Sequence, residues 1–173
     1  LTNIKSVTYN FVTGLLKGEE MANYTDNYNS QSITVPATRS VYFYTFEGNL
    51  VMAGAGVVDV PNAQVNTYRT VGSTPKDITG LAADNLIDIK SITYNDITNR
   101  LKGEEVANYT DNYNGAREVA SRSVYFYGPK DEFIDANSNG AYDIGETILG
   151  EYNGDSTHAL GVMVRAQYAS SDD

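Results

Sequence analysis

The chain has 173 residues, enough for one medium domain or two small ones, and it contains 14 Tyr but no Cys and no Trp. The absence of cysteine excludes a disulfide framework, a cysteine zinc site, an iron–sulfur cluster and a cysteine nucleophile. The net charge of −10 is concentrated in the second half of the chain, which disfavours a nucleic-acid partner because phosphate needs a basic surface.

The predicted elements of the first half are mostly strands, since Tyr, Thr, Val and Ile dominate the runs between turn residues. Lys5–Asn10 alternates polar and apolar residues, which is the period of a half-buried strand. Residues 22–29, ANYTDNYN, are rich in Asn and Asp and are predicted to form a turn or loop. Ser40–Phe46 is predicted to be a central strand, and Asn49–Val60 is a further strand candidate. A short helix is conceivable only in Phe11–Met21, whose two glycines disfavour it.

The second half of the chain repeats the first. Ile4–Ser30 and Ile89–Gly115 align without a gap at an offset of 85 residues, and 20 of the 27 aligned pairs are identical. This identity is too extensive for chance, so we interpret the chain as an internal duplication of two units, about 1–86 and 87–173. The hexapeptide RSVYFY also recurs, at Arg39–Tyr44 and Arg122–Tyr127.

The strand pattern of the second unit follows that of the first, with strands predicted at Lys90–Asn95, Ser123–Tyr127 and Ala159–Tyr168. Strands at short spacing with polar turns between them predict an all-β protein, a β-sandwich or jelly roll. Two small sandwiches and one interleaved sandwich both fit the duplication. We favour a single domain over residues 1–173, because no Pro- or Ser-rich linker separates the halves.

The twelve residues Asp135–Glu146 match the calcium-loop pattern D-x-[DN]-x-[DN]-G-x5-E at every specified position. Calcium takes roughly six to eight oxygen ligands, and oxygens on alternate residues before a glycine turn can surround one ion. Gly140 supplies that turn, and Glu146 would close the shell with both carboxylate oxygens. The predicted ligands are Asp135, Asn137, Asn139, the Ala141 carbonyl, Asp143 (directly or through water) and Glu146.

This segment resembles the loops of EF-hands and, more closely, those of dockerin-like and other bacterial or archaeal surface proteins. The resemblance covers the twelve residues alone, since the flanking DEFI and TILGEY are too short and too β-like for the helix pair of an EF-hand. We therefore predict an isolated calcium loop that braces strands, with an Asn/Gly-rich hairpin without metal as the alternative. The ligand set implies a dissociation constant of roughly 10⁻⁴–10⁻³ M, as in extracellular proteins, and the calcium ion would have a structural role.

A second acidic block, KGEE followed by ANYTDNYN, occurs in both units. Its acids are candidates for further calcium sites, although a solvated turn is the favoured interpretation. Each copy also contains a sequon for glycan attachment, at Asn23 and Asn108, which would suit a secreted glycoprotein. The candidate calcium ligands in the two blocks are Glu19, Glu20, Asp26, Glu104, Glu105 and Asp111.

No constellation of catalytic residues is evident, and we predict that the protein is not an enzyme. His158 is the single histidine, so a Ser-His-Asp triad would have to use it, but no G-x-S-x-G motif accompanies it. Acids for glycoside hydrolysis are present, yet the Trp platforms that usually bind the sugar are absent.

An extracellular, self-assembling protein is predicted. The first residue is Leu1 rather than Met, which we interpret as a mature N-terminus or a trimmed one, and no apolar run approaches the roughly 20 residues of a membrane span. Ile89–Ile97 lies within the chain, whereas its counterpart Ile4–Val12 lies near the N-terminus and could complete a neighbour's sheet by donor-strand exchange. Repeated head to tail, this contact would make a homopolymer, either a filament or a tube.

A Cys-free β-protein rich in Tyr, Asn and Thr, with a calcium loop, is similar in style to archaeal cannula proteins and to the jelly-roll subunits of biofilm fibres. The resemblance implies a calcium-dependent structural subunit that polymerises outside the cell. The alternative is a calcium-stabilised carbohydrate-binding or adhesin module of a larger surface protein. Its sugar platforms would be the exposed rings of Tyr24, Tyr28, Tyr109 and Tyr113.

Overall fold

The computed structural model describes residues 4–127 apart from positions 30, 31, 33 and 55, and the backbone of three later segments, residues 132–133, 148–149 and 163–169. The regular structure in all of these residues is β-strand, which confirms the all-β prediction. Within this part of the chain there is no helix that could cross a membrane. The strands are β1 Ser6–Phe11, β2 Met21–Asn27, β3 Thr38–Phe46, β4 Asn49–Met52, β5 Asn62–Arg69, β6 Ile89–Asp96, β7 Val106–Tyr113, β8 Val119–Tyr127, β9 Glu132–Phe133, β10 Ile148–Leu149 and β11 Met163–Ala169.

Nine of these strands form one antiparallel sheet. Its order is β1-β2-β3-β5-β6-β7-β8-β11, and β4 pairs with the second half of β3, beyond the end of β2. β9 and β10 form a separate two-stranded ladder. The two sequence units therefore share one sheet, joined where β5 pairs with β6. The sandwich or jelly roll, and the duplication as its origin, stay predictions.

The two units have the same strand pairing. β1, β2 and β3 lie side by side in the first unit, as β6, β7 and β8 do in the second. Thr8 lies opposite Thr25 in the first unit, as Thr93 lies opposite Thr110 in the second. Both ladders shift register at one β-bulge in the same place, just after Tyr9 or Tyr94. The sequence repeat is thus also a repeat of backbone geometry.

The main core lies on one face of the sheet, where the long connection between β5 and β6 packs on it. Val41, Phe43, Tyr68, Ile89 and Ile92 are buried there. The connection contributes the half-buried Ile78, Leu81, Ala83 and Leu86. Met21, Tyr44 and Val57 form a smaller buried cluster.

β5 places polar side chains in this core. Asn62, Gln64 and Asn66 alternate along the strand and are buried, with Tyr68 following in the same row. Gln64 Nε2 and Asn66 Nδ2 donate to the Ala83 carbonyl at 3.0 and 2.8 Å, and Tyr68 Oη donates to the carbonyl of Asn85. These bonds satisfy buried amides that would otherwise be costly. They also fasten the connection to the sheet.

Two sequence predictions need correction, and one strand was not predicted. The ANYTDNYN segments form strands β2 and β7 rather than turns. Of Asn49–Val60 only Asn49–Met52 is a strand, because Glu47 and Gly48 adopt positive φ in a two-residue turn that folds β4 back on β3, after which the chain leaves the sheet. β5, Asn62–Arg69, was not predicted as a strand from the sequence.

The buried Tyr44 and the half-buried Tyr94 predict a loss of stability in alkali. Burial raises the pKa of Tyr44 far above the ordinary value of 10.0, and it raises the pKa of Tyr94 to about 12. Between pH 10 and about 12 the unfolded chain releases these protons and the folded chain retains them, so the free energy of unfolding should fall as pH rises through this window. Tyr94→Phe and Tyr44→Phe should each flatten that fall in urea titrations.

The free energy of unfolding at pH 7 distinguishes the loss of a hydrogen bond from the loss of a titrating group in these variants. Tyr44 Oη donates to the Ala22 carbonyl at 2.7 Å, so Tyr44→Phe should also be less stable at pH 7 by about 1 kcal/mol. An alkaline slope identical to that of the wild type in both variants would contradict the assignment to these rings.

Candidate functional site

A stacked cluster of four side chains occurs on the first unit, and its geometry was not predicted from the sequence. Asp26, buried on β2, accepts two hydrogen bonds from Arg39 on β3, at 2.7 Å from Nε and 2.9 Å from Nη2. The Arg39 guanidinium lies 4.4 Å from the centroid of the Tyr24 ring. Tyr9 of β1 stacks on the same ring at 4.6 Å. The cluster thus connects β1, β2 and β3 through ring stacking and a bidentate ion pair.

The second unit repeats this cluster. Arg122 forms a bidentate pair with the buried Asp111, at 2.5 and 2.8 Å, and its guanidinium lies 4.3 Å from the centroid of Tyr109. Tyr94 stacks on Tyr109 at 4.6 Å. The cluster explains in physical terms why TYN, NYTD and RSV recur in both units: each supplies one layer of the stack.

The stacks bear on the candidate sugar platforms. Tyr24 and Tyr109 have a tyrosine on one ring face and a guanidinium on the other, so neither offers a free face to a sugar. Tyr113 packs against the main core. Tyr28 is half-buried just after β2. The geometry thus gives the carbohydrate-binding alternative no row of bare rings.

The LKGEE segments form the turns between β1 and β2 and between β6 and β7. In the first turn Glu19 Oε2 accepts from the backbone N–H of Leu16 at 2.7 Å, and Glu20 Oε2 accepts from that of Gly18 at 2.8 Å. The second turn has the same two bonds, from Leu101 to Glu104 and from Gly103 to Glu105. The paired acids are therefore the internal braces of two equivalent turns.

These acids do not come together with the aspartates of the same blocks. Glu19 and Glu20 lie in a turn before β2, whereas Asp26 is six residues further along and bound to Arg39. Glu104, Glu105 and Asp111 repeat this separation. Among the described residues no group of three or more acidic or histidine side chains could hold a metal ion. The further calcium sites stay a prediction without geometric support.

The two sequon asparagines occupy the extra position of the two β-bulges. Asn23 is half-buried, and its Oδ1 is enclosed without a hydrogen-bond partner. Asn108 is exposed. Of the two, Asn108 is the more accessible to a modifying enzyme.

The predicted calcium loop Asp135–Glu146 lies outside the described residues, but its two flanks do not. β9 precedes it and β10 follows it, and they pair antiparallel with Phe133 opposite Ile148. The described residues of the flanks, 132–133 and 148–149, are thus in strands, as the sequence predicts, rather than in the helices of an EF-hand. Because facing residues of such a ladder are about 5 Å apart, the ladder brings the two ends of the loop side by side.

β1 forms one end of the sheet. Among the described strands it pairs with β2 alone, whereas its counterpart β6 lies between β5 and β7. The Lys5 carbonyl accepts from Tyr28 N, so by the alternation of an antiparallel ladder Val7 and Tyr9 bond to β2. Ser6 and Thr8 consequently direct their N–H and C=O groups away from the sheet. A strand edge with unpaired backbone groups is a template for another strand.

Comparison with known proteins adds no functional assignment, since no family model, curated protein or solved structure matches the chain.

Proposed function

We propose that the protein is a calcium-binding structural subunit that assembles outside the cell into a filament or tube by strand addition at β1. The observation that carries the proposal is the contrast between two equivalent strands. β6 has partners on both sides. β1 has the same sequence pattern, the same bulge and the same stack, but among the described strands it has a partner on one side only.

The side chains at this edge support the proposal. Tyr9 and Val12 are 42% and 57% exposed, whereas their equivalents Tyr94 and Ile97 are half-buried beside β5. An added strand would cover on β1 what β5 covers on β6. Exposed apolar surface of this kind is common at interaction sites.

β1 also lacks the usual protection of an edge strand. Natural edges carry charged residues or proline that prevent pairing with other chains. Ser6–Phe11 contains neither. An unprotected edge is expected where pairing with another chain is the function.

Strand addition that leaves β1 in place is favoured over exchange in which β1 leaves its own sheet. β1 makes a full ladder with β2, and Tyr9 is part of the first stack. Exchange would break these contacts, whereas edge-to-edge addition retains them.

Calcium has a structural part in this proposal. β9 and β10, which pair with each other, precede and follow the loop in the sequence, so an ion held by Asp135, Asn139 and Glu146 would stabilise the strands that follow β8. Ion binding stabilises the folded state by mass action, by about 2.7 kcal/mol at a calcium concentration 100 times the dissociation constant. The ligands are hard oxygens of the kind that calcium prefers.

The test is negative-stain microscopy of purified protein in excess chelator and again at millimolar calcium. We expect the wild type to form filaments or tubes in calcium and not in chelator. Glu146→Gln and a chain lacking residues 1–10 should form none in either condition. Glu151→Gln removes an acid outside the loop and should assemble normally. Single particles of the wild type in both conditions would exclude calcium-driven assembly.

A further inference from the structure

The two end strands of the sheet, β1 and β11, are the equivalents of two strands that pair with each other inside the chain, β6 and β5. β11 pairs with β8 as β5 pairs with β3: Tyr168 lies opposite Arg122, as Tyr68 lies opposite Arg39. β11 therefore occupies in the second unit the place that β5 occupies in the first, at an offset of 100 residues. Among the described strands β11 has β8 as its partner and no strand on its other side.

The partner of β5 identifies the partner that β11 lacks. β5 pairs on its second side with β6, the first strand of the next unit. β6 is the equivalent of β1 at an offset of 85 residues. The two strands of the internal joint, β5 and β6, thus each have an equivalent at an end of the sheet: β11 is the equivalent of β5, and β1 is the equivalent of β6.

Strand direction permits these halves to meet. The path from β1 to β11 contains eight strands, and every neighbouring pair is antiparallel. β1 and β11 consequently run in opposite directions. A second copy placed next in line, in the same orientation, would bring its β1 antiparallel to β11, which is the arrangement of β5 with β6.

We propose that β11 of one copy pairs with β1 of the next in the register of the internal joint. Val65 lies opposite Thr93 and Asn66 opposite Ile92, so the intermolecular ladder places Arg165 opposite Thr8 and Ala166 opposite Val7. The partner is a second copy of this chain. This inference rests on the proposed self-assembly and specifies its joint.

The joint fixes the dimensions of the polymer. Eight strands at a spacing of about 4.8 Å give a rise of roughly 38 Å per copy along the sheet. The ordinary twist between neighbouring strands sums to a rotation on the order of 160–200° per copy. The fibre is therefore a twisted ribbon with about two copies per turn, and this repeat is measurable in the power spectrum of micrographs.

The register is tested by cysteine cross-linking, since the chain contains no cysteine of its own. Thr8→Cys combined with Arg165→Cys should give a ladder of disulfide-linked oligomers after oxidation of assembled protein in calcium. Thr8→Cys combined with Ala169→Cys is the out-of-register control, because four residues of strand displace the second thiol by about 13 Å. Each single variant should give no species larger than a dimer. Microscopy of the same samples under reducing conditions records whether they assemble.

The outcomes separate the joint from the assembly. Filaments without a Thr8–Arg165 ladder would overturn this joint and leave the proposed function standing. A ladder as strong from the control pair would overturn the register. A disulfide-linked monomer would mean that β1 and β11 meet within one chain, which would overturn the head-to-tail joint. Absence of filaments from wild type and variants alike would refute the proposed function, and this joint with it.

Discussion

Thr8→Pro is expected to abolish filament formation at protein concentrations at least 100-fold above those at which the wild type assembles, while the monomer stays folded. The N–H group of Thr8 is directed away from β2, so proline there removes a donor that no described strand of the isolated chain uses. The same substitution denies the donor to an incoming strand. Sedimentation and microscopy measure assembly, and far-UV circular dichroism in chelator measures the fold.

The internal repeat supplies the matched control. Thr93 is the equivalent of Thr8, but its outward N–H is directed at β5, in the interior of the sheet. Thr93→Pro should therefore destabilise the monomer itself, as proline does within a central strand. Filaments of Thr8→Pro at wild-type concentration would show that the free edge of β1 takes no part in assembly.

The sequence predicted the strands that have an apolar pattern. β1 and β6 alternate polar and apolar residues, and β3 is dense in aromatic and branched residues, so each has a recognisable signal. β5 has the same alternation of buried and half-buried positions, but its buried residues are Asn62, Gln64 and Asn66. Gln64 and Asn66 donate to a carbonyl of the connection, 19 and 17 residues away. Asn62 donates to the Phe43 carbonyl of β3, and no local pattern reveals such bonds.

The errors at β2 and β7 have a related cause. Asn and Asp favour turns because they bond to their own backbone. In β2 the Asp26 carboxylate bonds instead to Arg39, and in β7 Asp111 bonds to Arg122, so tertiary contacts override the local preference. A reading of one segment at a time cannot detect a partner on the next strand.

The candidate sites divide in the same way. The calcium loop is recognisable from sequence because all its ligands lie within twelve consecutive residues. The stacks depend on the register of three strands. The free edge of β1 depends on the order of the whole sheet. The alternating pattern is the same in β1 and β6, so the pattern alone does not show which of the two strands lies at the end of the sheet.

One coupled difference between the units follows their positions in the sheet. At the start of the first turn the chain has Phe11 and Leu15, both half-buried. The equivalent residues are Asp96 and Arg100, which form a buried ion pair with 3.6 Å between Oδ2 and Nε. The apolar pair thus lies at the end of the sheet, next to the proposed joint. The ionic pair lies in the interior of the sheet.

The stack of the first unit predicts the largest effect on stability. Arg39→Met would leave the Asp26 carboxylate, whose side chain is 6% exposed, without its cation. Loss of one partner of a buried pair costs about 3–5 kcal/mol, and here the bond from Arg39 Nη1 to the Lys76 carbonyl is lost as well. Urea unfolding of the monomer in chelator should show this decrease in the free energy of unfolding.

Arg122→Met is the matched comparison, because the Arg122 side chain is 38% exposed against 16% for Arg39. Water reaches the second pair more easily, so we expect a smaller loss there. Asp26→Leu combined with Arg39→Met should recover most of the stability, since replacing both ions by apolar groups removes the unpaired charge. A loss below about 1 kcal/mol for Arg39→Met, or a double variant less stable than the single one, would contradict the view that this ion pair holds the first three strands together.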